Sequence, residues 1–266
     1  MVKRITHWLK AYYKKNRFKS VAFACFVIAT TFFFAKRDSY FHNAAYSTTL
    51  LSSNQKLLSA QIANDGQWRF ESIDSIPDQF VKCITLFEDE YFDYHIGVNP
   101  ISLARATLQN LKAKRIVSGG STITMQVVRM GRNATNRSVW QKFKEILWAI
   151  RLETHYSKSE ILNLYVNHAP FGGNVVGIQA AAWRYFNRNI YELSWAEYAV
   201  LAVLPNAPSL IHPGKNQIEL TKKRNRLLNK LLSQNIIDST EYELALLENI
   251  PKAPLPLPQM ANHMLQ

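Results

Sequence analysis

The segment Trp195 to Leu204, WAEYAVLAVL, is apolar on most faces and stops at Pro205. A helix of that composition is stable only when other elements surround it, so it has to run through the centre of the fold. The proline ends it, because its ring blocks the helical backbone and removes a donor. Helical spacing of apolar residues recurs from Pro77 onward: Phe80, Ile84 and Phe87; Leu103, Leu108 and Leu111; Trp140, Phe143, Leu147 and Ile150; Ile161, Leu164 and Tyr165. Leu220 to Ile237 reads as an amphipathic helix, with Leu227, Leu228, Leu231 and Leu232 on one side and Lys222, Lys223, Arg224, Arg226 and Lys230 largely opposite. Asp238 with Glu241 offers a capping box for a last helix. The expected class is mainly α.

Ahead of this region, Tyr46 to Phe70 carries short runs of Thr, Leu, Ile and aromatic residues broken at Ser53-Asn54 and at Asn64-Asp65-Gly66. The Asp-Gly pair is a hairpin signal, and the stretch predicts a small antiparallel unit of two or three strands. The tail PKAPLPLPQM is proline-dense and predicts an extended linker.

The formal charge is +13, from 32 Lys+Arg against 19 Asp+Glu. Such a balance favours an anionic partner without choosing one. Much of the excess lies in residues 1 to 19, which hold Lys3, Arg4, Lys10, Lys14, Lys15, Arg17 and Lys19 and no acid. Ser20 to Ala35 then contains no charged residue before Lys36 and Arg37. That order predicts one membrane-spanning signal anchor with its basic end in the cytoplasm and the rest of the chain outside it, which explains the charge without nucleic acid. A buried core helix and a cleaved signal peptide are the alternatives. The second is disfavoured by Phe33, which stands where a small residue should precede a cut after Ala35. Cys25 lies in the apolar run and Cys83 is alone outside it, so neither an intrachain disulfide nor a cysteine metal site is expected.

Chemistry-bearing residues gather in four blocks. Phe87 to Ala106, FEDEYFDYHIGVNPISLARA, sets Glu88, Asp89 and Glu90 beside aromatic rings, His95, Gly97 and Arg105. A carboxylate among ring faces and a cation suits acid/base work at a sugar or phosphate centre, although acids at a helix end are common surface features. SGGSTITMQ, at Ser118 to Gln126, is a Gly-Gly turn leading into a helix that Ser121, Thr122 or Thr124 can cap, and its N-terminus can face an anion. It is not a Walker loop, since no Gly-Lys-Ser/Thr follows. RSVWQKFKE puts Lys142 and Glu145 three apart on one helical face, and SKSEILNLYVNHAPFGG ends in a glycine-rich loop.

Taken together and in this order with ELSWAEYAVLAVLPNAPS, these blocks resemble the peptidoglycan glycosyltransferases, glycosyltransferase family 51, over about residues 46 to 235. The resemblance implies a lysozyme-like, mainly helical domain at residues 76–250, preceded by a cytoplasmic tail (1–19), an anchor (20–35) and a linker with the β unit (36–75), and followed by a linker (251–266). It implies polymerisation of lipid II into glycan strands with inversion at the anomeric carbon and release of undecaprenyl diphosphate, at the extracytoplasmic face of the plasma membrane. Glu88 matches the family's catalytic base and Glu145 its second catalytic carboxylate. Asp89, Phe92, His95 and Arg105 match positions that shape the pocket of the base, and Ser121, Thr122 and Gln126 match donor-site positions. Arg129, Arg137 and Lys142 match the cations that hold the diphosphate, and a divalent cation, Mg or Mn, is implied near Glu145.

Many members read QQ and KN where this chain has Met125-Gln126 and Arg129-Met130, so one amide and one Asn donor are absent. The basic amphipathic stretch from Val98 to Val117 matches the region by which the family dips into the membrane. The variants GGSTITMQ, NHAPFGG, LPNAPS and ANDGQWRF resemble members in which a transpeptidase domain follows. A chain stopping at Gln266 is therefore expected to be a truncated or split form or a piece of a longer protein, with a separate transpeptidase as one candidate partner. Ser53-Asn54-Gln55-Lys56 fits the bare S-x-x-K pattern, but it lies in a predicted turn with no K-T-G after it. No penicillin acylation is expected. The residues leave two rivals open: a lysozyme-like enzyme that cleaves glycan, and a noncatalytic scaffold that binds lipid II.

Overall fold

The computed structural model describes residues 19–36, 40–115, 119–132, 138–260 and 264, so the expectation for Arg137 lies outside the described residues. The chain divides into two compact units, Met1–Ser39 and Tyr40–Gln266. In the first, residues 19–34 form a helix, α1, with Phe23, Phe26 and Ile28 between 64% and 69% exposed. Among the described residues no helix is long and apolar enough to cross a membrane.

The second unit is mainly helical with two small sheets. Its helices are α2 (Asp78–Glu88), α3 (Pro100–Ala113), α4 (Ile123–Gly131), α5 (Val139–His155), α6 (Lys158–His168), α7 (Ile178–Phe186), α8 (Trp195–Val203), α9 (Gln217–Ser233) and α10 (Ser239–Leu247). Helix α8 is the central one, with Ala196 to Val203 all buried, and it packs on α2, α9, α7 and α10. Helix α4 is wrapped by α5 and α6.

Side chains define the helix starts, at Thr122 and Asp238 as the sequence suggested and at three further positions that it did not single out. Thr122 caps α4 by accepting from the Met125 N–H, and Ser138 does the same for α5 through Gln141. Helices α6, α8 and α10 open with complete capping boxes at Ser157/Glu160, Ser194/Glu197 and Asp238/Glu241. Helix α3 carries the apolar residues of its amphipathic pattern on the outside. It buries only Ala106, while Ile101, Leu108 and Leu111 are 60% or more exposed.

The β region contains the expected two-stranded antiparallel unit and differs at the Asp-Gly turn. Strands β1 (Thr48–Leu51) and β2 (Leu57–Gln61) form an antiparallel hairpin that turns at Ser52 to Lys56. The Asp65-Gly66 turn leads instead into β3 (Trp68–Arg69), which pairs in parallel with β5 (Val175–Val176). Strand β4 (Pro170–Gly172) lies antiparallel on the other side of β5. The loop after α6 thus recruits β3, a long-range pairing that local turn chemistry does not specify.

The tail 251–260 is extended, and it is anchored to the body. Leu257 is buried, the Leu255 amide donates to the Arg184 carbonyl, and Gln259 bridges Ser59 while the Met260 amide donates to the Leu58 carbonyl.

Candidate active site

Glu88 is the last residue of α2 and is half-buried. Its Oε2 accepts from Gln126 Nε2 of α4 at 2.8 Å. Its Oε1 is shut away from solvent and has no hydrogen-bond partner among the described residues. Burial pushes the Glu88 carboxyl above its ordinary value. The Gln126 hydrogen bond and the charges of Lys223 and Arg129 pull it down, and Asp89 adds to the rise. Desolvation prevails, which leaves a carboxylate with a strong appetite for a proton. Replacing Gln126 with Leu removes a donor that favours the charged form, so the Glu88 pKa is expected to climb further. Carbon-13 titration of the Glu88 carboxyl checks this, and a value unchanged or lowered would remove Gln126 from the site.

Asp89, next in the chain, turns the other way and is buried. Its Oδ2 accepts from the Ile123 N–H, at the start of α4, at 3.0 Å. His95 Nε2 donates to the same carboxylate at 2.9 Å. An acid at a helix N-terminus that also holds an imidazole joins two segments at one point. The ring of Phe92 is buried and lies 4.6 Å from Lys158 Nζ. Lys158 Nζ donates to the His95 carbonyl at 2.6 Å and to Glu153 Oε1 at 2.8 Å, and Glu153 also accepts from Thr124 Oγ1 at 2.7 Å. Asp89, Phe92 and His95 therefore brace the loop behind Glu88 and hold it to α4, α5 and α6.

Two glycines of the motifs are fixed by close approach. Gly97 has φ +84°, and a Cβ there would sit 2.6 Å from the Ala149 carbonyl oxygen of α5. At Gly120 a Cβ would sit 2.8 Å from the Leu103 Cα of α3. The first lets the loop after His95 lie on α5, where the Gly97 carbonyl accepts from Thr122 Oγ1 at 2.7 Å. The second lets the start of α3 press on the turn before α4.

Cationic groups line the other side. Arg129 lies one turn beyond Gln126 on α4. Its charge acts on Glu88 and on Lys142. Lys142 and Glu145 occupy one face of α5 as their spacing required, with Nζ 3.8 Å from Glu145 Oε2. Lys142 Nζ also donates to Ser121 Oγ at 2.5 Å. Burial holds the Lys142 ammonium below its ordinary pKa, aided by Arg129 and opposed by Glu145, a balance that an incoming anion would reverse. Glu145 is itself buried. Arg105 is exposed on α3, where its charge acts on Glu90. Glu90 is tied to Lys230 and Gln234 of α9.

Lys223 of α9 was not among the candidate residues. It faces Glu88 closely enough for each charge to act on the other, and its Nζ donates to Asn206 Oδ1 at 2.8 Å. Tyr165 of α6 is the second residue overlooked. It is 1% exposed, its hydroxyl has no partner among the described residues, and its electrostatic neighbours are Glu88 and Arg129. Helical spacing placed Tyr165 on an apolar face, and no local signal distinguishes a phenol that meets a carboxylate from one that fills a core.

A transglycosylase family model matches residues 54–232. The chain is 39% identical over 198 residues to Penicillin-binding protein 1C of Escherichia coli, a match that covers 74% of this chain and 26% of that protein. Penicillin-binding protein 1A of Pseudomonas aeruginosa is 42% identical over 175 residues, covering 66% and 21%. Penicillin-binding protein 1A of Aquifex aeolicus is 37% identical over 176 residues, covering 66% and 24%. The chain thus spans about a quarter of the length of these curated relatives. With motif order, helical body and a site built from those motifs in agreement, the chain belongs to the transglycosylase family, glycosyltransferase family 51.

Proposed function

We propose that this chain is a membrane-anchored peptidoglycan glycosyltransferase that polymerises lipid II with inversion, releasing undecaprenyl diphosphate. The observation that carries the reading is Glu88: a half-buried carboxylate whose pKa is raised by burial, held by one Gln126 bond and faced by cations. In this reading Glu88 takes the proton of the acceptor's C4 hydroxyl as that oxygen attacks the donor's anomeric carbon and the C–O bond to the diphosphate breaks. Oε1 is shut away, so the hydroxyl meets Oε2, which has a second lone pair beside the Gln126 bond. The departing diphosphate needs charge, not a strong acid, and Arg129 and Lys142, with Arg137 from the motif, supply it. Ser121 and Glu145 hold Lys142 in place.

Among the described residues no group of three or more His, Cys, Asp or Glu could hold a metal ion. Glu145 offers one carboxylate beside an ammonium, which does not fit a resident Mg or Mn. Such a cation would arrive with the diphosphate, held mainly by phosphate oxygens, and no step here passes through it.

The exposed Ile101, Leu108 and Leu111 of α3, with Lys112 in its last turn, support docking on the membrane that holds the lipid-linked substrate. The charge pattern of residues 1–37 supports a single-pass anchor at 20–35 with the catalytic body extracytoplasmic. We assign 36–75 to the linker and β unit, 76–250 to a lysozyme-like catalytic domain and 251–266 to a linker, with cross-linking left to a transpeptidase domain or partner. The test is incubation of the purified chain with lipid II in detergent micelles. Glycan strands and free undecaprenyl diphosphate are expected. Lipid II binding without turnover would make it a scaffold, and muropeptides released from sacculi would make it a glycan-cleaving enzyme.

A further inference from the structure

The reading above leaves two buried polar atoms without a role. Oε1 of Glu88 is an acceptor and the Tyr165 hydroxyl is a donor, and neither has a hydrogen-bond partner among the described residues. An orphaned buried polar atom is costly, so native structures rarely keep two in one place without a reason. These two belong to one cluster. Glu88 closes α2 and is bonded to Gln126 of α4, and α4 packs directly on α6, which carries Tyr165. The phenol feels the charges of Glu88 and Arg129, as a neighbour of both must.

We propose that Tyr165 is a positioning residue for the base: its hydroxyl serves the inner oxygen, Oε1, of Glu88 through one bridging water, and thereby turns Oε2 toward the acceptor hydroxyl. Gln126 and Tyr165 then grip the carboxylate from opposite ends. A phenol suits the task because it donates to the charged form and accepts from the protonated one, so the grip survives proton transfer in either direction. The other charged groups facing Glu88 are Asp89 on its own segment, Arg129 on α4 and Lys223 on α9. None of them is aligned with Oε1 as a hydrogen-bond partner.

The inference rests on Glu88 being the base, so Glu88→Gln is assayed alongside Tyr165→Phe, using strand synthesis from lipid II across pH. Tyr165→Phe removes a donor to the carboxylate, which raises the Glu88 pKa. The acid limb of kcat/KM is expected to move to higher pH, with kcat down about tenfold and KM little changed. An acid limb that stays in place overturns the proposal whatever the rate does, and lost stability with an unmoved limb assigns the phenol to packing alone. If Tyr165→Phe does not fold, 3-fluorotyrosine incorporated at 165 keeps the ring and strengthens the donor; the limb should then move to lower pH, and an unmoved limb is again fatal. Full activity in Glu88→Gln would instead sink the assignment of the base, a result separable from failure at Tyr165 alone.

Discussion

Glu88→Gln is expected to lose strand synthesis by about 10²–10⁴-fold, the usual worth of a positioned general base, and at the same time to become more stable than the wild type at neutral pH. The first effect follows because an amide keeps the shape of the side chain and cannot accept the hydroxyl proton. The second follows from linkage. Burial raises the Glu88 pKa in the folded state, so the protonated form is the one that folding favours. The stability this group contributes is complete below its unfolded pKa and is lost as pH rises through the folded one. Glutamine is neutral throughout and escapes that loss. Urea unfolding of both proteins should therefore give similar stability in acid and a gap favouring the variant at neutral pH. Equal curves at neutral pH would mean the site does not strain its carboxylate, and wild-type synthesis by the variant would move the base elsewhere.

Asp89→Ala is expected to cost about 2–4 kcal/mol of stability, because it strips the acceptor from two buried donors at once. The loss has two parts in the structure. The Ile123 N–H at the head of α4 and His95 Nε2 both lose their acceptor while remaining buried. Since the same carboxylate holds the Phe92–His95 loop to α4, Glu88 and Gln126 should also drift apart, and activity should fall more than the unfolded fraction explains. Asp89→Asn keeps one acceptor and loses the charge at the helix N-terminus, so a smaller cost, about 1–2 kcal/mol, is expected. Chemical denaturation of the two variants decides. A loss below about 1 kcal/mol for the alanine form would show that other contacts hold α4.

The parts of the site that could be read in the sequence are those set by local spacing. Lys142 and Glu145 share a face because three residues nearly complete a helical turn, and Thr122 caps α4 because a hydroxyl before an apolar run reaches the N–H groups beyond it. What stayed hidden depends on how helices cross. Lys223 and Arg224 both looked like the wet side of α9. Yet Lys223 faces Glu88, and Arg224 is buried with its guanidinium on the Glu248 and Leu246 carbonyls. A periodicity argument sees one helix at a time and cannot know that α10 and the end of α2 lie over that face. The apolar repeat of α3 gave the helix but not its partner, since an outward-facing apolar stripe obeys the same spacing as one packed on a core. The parallel pairing of β3 with β5 joins segments too distant for any turn rule to register.

Gln259 meets Ser59 on the edge of the hairpin that β1 leaves open, and most of the chain is synthesised between those two residues. At roughly 5–20 residues per second, strand β2 waits on the order of 10–40 s before its outer neighbour exists. Through that interval the hairpin is complete in sequence but open along one side, the condition under which a strand edge recruits a stranger. The strand carries its own defence in its shortness, and in the bulge between Leu50 and Leu51 that breaks the register of its partner. A segment that emerges long after the hairpin is thus the one that covers its open edge.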